Sequence, residues 1–513
     1  MCNITPSLTS SIIPNNQPAF ESNVTTIGGV KTVKWDNSKS FTPVGQLLFF
    51  SQFLAAGNQF KNFVENCPIF FKSNNAPEKK DVLGSLVLSI IMGFNRYSHI
   101  GQIYGDDVSA TILGLNQICS SDSVRRAIKK IDETAGLKWI NECLLESYLE
   151  LLCCSWILDI DATVKNLYGK QEEATIGYNP RHPGRPSHNY HSFFIANIRI
   201  ILGLEVRAGN EHSGSFGLEE LFKFIDGLPK EKHPWMIRGD VSYGSDKMMI
   251  ACESRFIGYI FKLRSSPNVK ALIQKIESSN DKWESAGNGW QGCKSKLKLY
   301  GWKKERNVVV LRYQDKKPQK KLTKEIGQDK GAVQLSLPEL FEEDECSWKY
   351  NVLVTSEGAS IFELAQRYRD RGDCENVYDE MKNQWGWAGF VTQDISSTRI
   401  VAAIVALVAN WWNIYSRLAM DDKHIEAKTS RALLLHAVGE MTRHSGQTTL
   451  RISSSHNNVE KIVKATSYIS SFLSDLTAKQ LDFNANWTTI LRRAYWRFFG
   501  DLGNPPPALI PTK

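Results

Sequence analysis

Residues Arg367 to Gly386 read RYRDRGDCENVYDEMKNQWG, and the rest of the chain is understood through this stretch. Counting from Tyr368, Arg371, Glu375 and Lys382 follow at offsets of three, seven and fourteen. On a helix turning about 100° per residue, those offsets hold all four side chains within roughly 60° of one another. A tyrosine, two cations and a carboxylate then share one stripe. A mixed-charge stripe ordinarily faces water, so the pattern fits either a solvated face or a row of working side chains. Only the residues upstream can separate the two.

The spacing Tyr, two residues, Arg, three residues, Glu, six residues, Lys resembles the YREK signature of bacterial insertion-sequence transposases, and it fits without a gap. These belong to the DDE transposases, so the resemblance implies an RNase H-like catalytic domain whose active site is two aspartates and a glutamate, here Glu375. It therefore requires two upstream aspartates, each on or at the end of a strand. In Ser155-Trp-Ile-Leu-Asp-Ile-Asp-Ala-Thr163 an apolar run reads as a buried strand, with Asp159 and Asp161 on the same side of it. Asp161 matches the family's first aspartate, because Thr163 follows at plus two; Asp159 is a supporting residue. In Trp235-Met-Ile-Arg-Gly-Asp-Val-Ser-Tyr-Gly244 a short strand ends at Asp240, and Tyr243 supplies the family's aromatic at plus three.

The chemistry suits these residue types. Cutting a phosphodiester needs water or a 3′-hydroxyl in line with the leaving oxygen, and two divalent cations about 3.5–4 Å apart can serve both. Mg²⁺ prefers carboxylate oxygens and water. The resemblance thus implies two Mg²⁺ (or Mn²⁺) ions held by Asp161, Asp240 and Glu375, with Tyr368, Arg371 and Lys382 on DNA phosphates. A planar guanidinium suits that contact. The competing role for Arg371 and Lys382 is a salt bridge to Asp370, Asp373 or Asp379.

Charge is distributed unevenly along the 513 residues. Lys and Arg number 62 against 54 Asp and Glu, a formal balance of +8, but residues 262–330 alone hold 18 Lys/Arg and 7 Asp/Glu. That is a local patch suited to a polyanion, with Lys298, Lys303 and Lys304 as DNA-binding candidates. Strand-like runs at Lys296–Tyr300, Asn307–Tyr313 and Trp348–Val354 make this part of the 134 residues between Asp240 and Glu375 a β-rich insertion. Families of this kind carry a β insertion here, and in some an aromatic in it stacks on a displaced base; Trp290 and Trp302 are candidates.

Further DNA contacts are expected on both sides. Ser121–Ile131 reads as a capped helix with Val124, Ala127, Ile128 and Ile131 on one face and Arg125, Arg126, Lys129 and Lys130 largely elsewhere. That is equally a solvated surface helix or a basic face for DNA. The loop Lys165–His188 contains GYNPRHPGRPSH, similar to a stretch in one branch of the YREK transposases, with Arg181 and Arg185 as charges. His182, His188 and His191 lack the spacing or thiols of a zinc site.

The expected fold class is α/β: an RNase H-like mixed sheet with flanking helices, interrupted by the β-rich insertion, plus an N-terminal helical domain. The boundaries are a flexible arm at 1–37, a helical DNA-binding domain at 38–152, the first part of the catalytic domain at 153–263, the insertion at 264–352, the second part at 353–420 and a C-terminal helical region at 421–513. Ile400–Ala409 is too short to span a bilayer and reads as a core helix over the sheet. Ten cysteines without C-x-x-C, and no secretory signal pattern, fit reduced thiols in a cytosolic protein, and the resemblance implies a bacterial cytoplasm beside the nucleoid. Expected partners are double-stranded DNA, both terminal inverted repeats and target, and a second copy in a homodimer. The expected function is metal-dependent cleavage at insertion-sequence ends and strand transfer into target DNA. Open alternatives are an RNase H-like nuclease without strand transfer and a domesticated, non-catalytic DNA-binding protein.

Overall fold

The structure is a computed structural model, and it describes residues 21–35, 40–153, 155–179, 181–211, 213–279, 282–315, 347–455, 458–479 and 482–500. Fifteen strands follow in chain order among these residues. They are β1 (Glu21–Thr26), β2 (Gly29–Lys34), β3 (Ser40–Thr42), β4 (Ile157–Asn166), β5 (Thr175–Ile176), β6 (Pro186–Ile195), β7 (Ile200–Ala208) and β8 (Met236–Gly239). Then come β9 (Gly258–Lys262), β10 (Glu284–Gly287), β11 (Trp290–Leu297), β12 (Arg306–Asp315), β13 (Ser347–Thr355), β14 (Gly439–His444) and β15 (Gln447–Ile452).

Ten of them form one mixed sheet in the order β10-β11-β12-β13-β9-β8-β4-β6, with β5 and β7 sharing the far side of β6. β8 runs parallel to both β4 and β9, while the other pairs are antiparallel. Helix Ser213–Asp226 precedes β8 in the chain and helix Asp246–Glu253 follows it.

Three expectations need correction. The β-rich insertion is not a separate body: β10 to β13 form a meander whose last strand pairs Leu353 with Lys262 and Thr355 with Ile260, so it extends the sheet along the edge of β9. An unpaired β9 would expose a row of backbone donors and acceptors, and β13 satisfies them. The boundary drawn at 352/353 therefore falls inside a strand. The arm at 1–37 is likewise not featureless, since Glu21–Lys34 is a β-hairpin closed by Ile27-Gly28, with Gly29 at φ +91°. The C-terminal region is not all helical either. β14 and β15 form a hairpin turned at Ser445-Gly446, both at positive φ, and β3 from the N-terminal side completes its sheet. The last part of the Lys-rich patch, residues 316–330, lies outside the described residues.

The core helix is longer than the ten apolar residues suggested. It runs Ile395–Ala419, and by length and composition it could cross a membrane, but 89% of its apolar window is buried inside the protein. It packs against β7 and helix Glu133–Tyr148. Asn410 bonds both the N–H and the carbonyl of Ile201, so even its polar residues serve the core.

Candidate active site

The site is built on two rungs of the parallel pair β4 and β8. Asp159 lies opposite Arg238, and continuing that register sets Asp161 opposite Asp240. Side chains two apart in a strand share a face, so the two rungs point the same way. On the lower rung the Arg238 Nε and Nη2 donate to the two Asp159 oxygens at 2.7 Å, both residues being almost fully buried. Its remaining arm donates to the Arg367 carbonyl at 2.5 Å, tying the signature segment to the two strands.

The upper rung has no such balance. Asp240 follows the last residue of β8, and its Oδ1 accepts from Ser242 N at 2.9 Å. Asp161 is mostly buried, and burial pushes its carboxyl up to about 6; Arg371 pulls it down and the neighbouring Asp240 pushes it up. Two adjacent carboxylates in a poorly solvated setting make a place where a cation is favoured.

That cation is Arg371, whose Nη1 lies 3.1 Å from Asp161 Oδ2. The salt bridge expected as the alternative to a DNA contact thus exists, with Asp161 as partner rather than Asp370, Asp373 or Asp379. Lys382 reaches the same strand: its Nζ donates to Thr163 Oγ1 and, at 3.0 Å, to the Val164 carbonyl. Tyr368 is beside them, with the Arg371 guanidinium 5.7 Å from its ring centre.

The signature is not one continuous helix. It is two, Ile361–Asp370 and Asp373–Asn383. Between them Arg371, Gly372, Cys374 and Glu375 each donate to the carbonyl three residues back, a tighter pitch than the α-helix. The single stripe is broken there by the change in phase. Arg371 and Lys382 turn to β4, whereas Glu375 is exposed in the first turn of the second helix. Among the described residues no three His, Cys, Asp or Glu side chains gather as a metal-holding group. Asp161 and Asp240 suit one side of a divalent cation, but the three-carboxylate set for two ions is not assembled.

The other candidates lie on separate elements. Arg125 and Arg126 are exposed on helix Ser121–Ile128, with Arg125 paired to Asp122 at 3.0 Å. Lys298 and Lys303 are exposed beyond β11, and Lys304 pairs with Glu253 at 3.0 Å. Arg181 and Arg185 are exposed on the loop after β4. Trp302 is buried beneath the Arg306 guanidinium and has no open face for a base. Trp290 lines a cavity of about 200 Å³ with Tyr368, Arg371, Leu311 and Asn351.

A family model described as "Transposase DDE domain group 1" matches residues 72–473. The chain belongs to that family. This transposase has no match in the comparison with curated proteins. Among solved structures it is similar to a piggyBac transposase synaptic complex with hairpin DNA, at 13% identity and a TM-score of 0.38, covering 88% of this chain and 87% of that one.

The sequence reading missed Arg238. Its signal was available: Asp159-Ile-Asp161 and Arg238-Gly-Asp240 are matching pairs two residues apart, each following an apolar run.

Proposed function

We propose that this DDE transposase cuts DNA at the ends of a mobile element and joins those ends to target DNA, with Asp161, Asp240 and Glu375 as its catalytic carboxylates. The observation that carries the reading is the Asp161–Asp240 rung with Arg371 and Lys382 converging on β4 beside it. The fold order around β4 and β8 is consistent with an RNase H-like domain. Mg²⁺ or Mn²⁺, when bound, would supply charge neutralisation and a metal-bound nucleophile. The Asp161–Asp240 pair is the part of the carboxylate set already together.

The chain's own groups take the remaining roles. Arg371 holds Asp161 ionised, and a DNA phosphate offers its guanidinium an alternative partner. Lys382, fixed along the edge of the same strand, neutralises the backbone next to the cut. The Trp290 cavity opens beside Tyr368 and Arg371, and it is where a base displaced from the cut end would stack. Terminal inverted repeats as the substrate, a homodimer in the DNA complex and a bacterial nucleoid setting belong to the same reading.

The test is cleavage of a labelled fragment carrying the element's own end, with Mg²⁺, by the wild type and by Glu375→Gln. Cutting by the wild type alone supports the carboxylate assignment. Equal cutting by both removes Glu375 from it, and binding without cutting by either favours the non-catalytic alternative. Joined products with a second DNA separate a transposase from a simple nuclease.

A further inference from the structure

Beyond the site, β4 runs on into the loop that joins it to β6, and the surface there changes character. From Asp161 to the strand's last residue, Asn166, is about 17 Å, the rise of about five stacked nucleotides. Two residues past that end, Tyr168 is 78% exposed, and the Arg185 guanidinium lies 4.5 Å from its ring centre. One ring face is therefore covered by a cation and the other is left to solvent. Tyr178, 80% exposed, lies on the same loop. Its neighbour Asn179 is buried and donates to Asn166 Oδ1 at 2.6 Å, pinning the loop to the strand end.

The loop is built rather than loosely draped. His182 N donates to Asn179 Oδ1 at 3.1 Å, and a ring nitrogen of His188 is 2.9 Å from the Glu172 carbonyl. Its acids are engaged elsewhere: Glu172 accepts from Ile395 N at 3.1 Å and Glu173 pairs with Arg399 at 2.6 Å. Among the described residues Arg181 and Arg185 have no acidic partner. Arg181 and Arg185 are exposed, and Arg181 is near enough to Lys382 to add to the lowering of that ammonium's pKa, of which burial is the main cause.

Positive charge thus extends from Arg371 and Lys382 on β4 to Arg181, and Arg185 of the same loop lies against the open Tyr168 ring. Phosphates alone would be met by cations alone; open ring faces match bases, and only unpaired bases present theirs. We propose that Tyr168, backed by Arg185, and Tyr178 form a stacking platform for an unpaired DNA strand running away from Asp161. This rests on the transposase reading and adds to it a binding site for single-stranded DNA next to the cut.

The test compares a blunt duplex with the same duplex bearing a short single-stranded extension that contains the fluorescent base 2-aminopurine. The wild type is expected to bind the extended DNA about tenfold or more tightly and to quench the 2-aminopurine, as stacking requires. Tyr168→Ala with Tyr178→Ala should abolish the preference and the quenching while leaving blunt-duplex affinity unchanged. Tyr168→Phe, which keeps the ring, should retain both. Equal wild-type affinities without quenching overturn the platform, as does a double variant that behaves like the wild type. Failure of the wild type to bind either DNA overturns the platform and the transposase reading together. Blunt-duplex binding and cleavage without any preference overturn the platform alone.

Discussion

Two rungs of one strand pair, a single residue repeat apart, have opposite electrostatics. Asp159 and Arg238 are buried, bidentate and mutually neutralised, while Asp161 and Asp240 are like charges whose close cation among the described residues, Arg371, comes from another element. The lower rung is complete and can only hold things in place. The upper rung is left short of positive charge, and such deficits mark places where something else is meant to bind.

The sharpest way to test this contrast is to remove a charge from the upper rung. Asp161→Asn or Asp240→Asn should reduce end cleavage by about 10³-fold or more while sparing DNA binding. Asp161→Asn should also be no less stable than the wild type at neutral pH. Because the folded carboxyl titrates near 6, above its ordinary value of 3.8, the native state holds a proton across that window that the unfolded state has released. Stability from this group is therefore present at low pH and lost as pH rises through about 6, and the variant should lack that slope in unfolding measured against pH.

The lower rung should respond in the other currency. Arg238→Ala leaves Asp159 buried and alone, and should cost about 3–5 kcal/mol in urea unfolding. Asp159→Leu combined with Arg238→Met should recover most of that stability. If Arg238→Ala unfolds no more easily, the rung is not structural and the contrast fails.

Arg371→Ala bears on the link between the rungs and DNA. Losing a charge-assisted contact should weaken end binding by about tenfold or more. Without its cation, Asp161 titrates higher still, so the acid limb of the cleavage profile should move to higher pH. A profile that stays in place would separate Arg371 from Asp161. The smallest effect is expected at Lys304, whose side chain is exposed and whose partner Glu253 keeps Arg306: Lys304→Ala should change stability by less than about 1 kcal/mol. Any loss of DNA affinity there should fade as salt is raised.

Much of the architecture was legible in the primary structure. The apolar runs leading into Asp161 and Asp240 and the apolar face of Ser121–Ile131 are local patterns, readable because burial imposes a period on the chain. The hairpin Gly439–Ile452 was passed over for a helix although Ser445-Gly446 marked its turn. The joint at Arg371–Glu375 was marked only by Gly372, a weak helix breaker. Its residues keep helical dihedrals, and the change is one of hydrogen-bond pitch, which composition does not encode.

The sequence by itself determined which residue types are present and at what spacing: two aspartates closing apolar runs, and a tyrosine, arginine, glutamate and lysine in a fixed series. Spacing within one element converts directly into direction, so those local faces could be read. Only the tertiary structure decided that Arg238 neutralises Asp159, that Arg371 rests on Asp161, that Glu375 stands apart, and that β13 closes the edge of β9. Each of these joins residues distant in the chain, and their meeting depends on strand register and helix phase, which packing of the whole core sets.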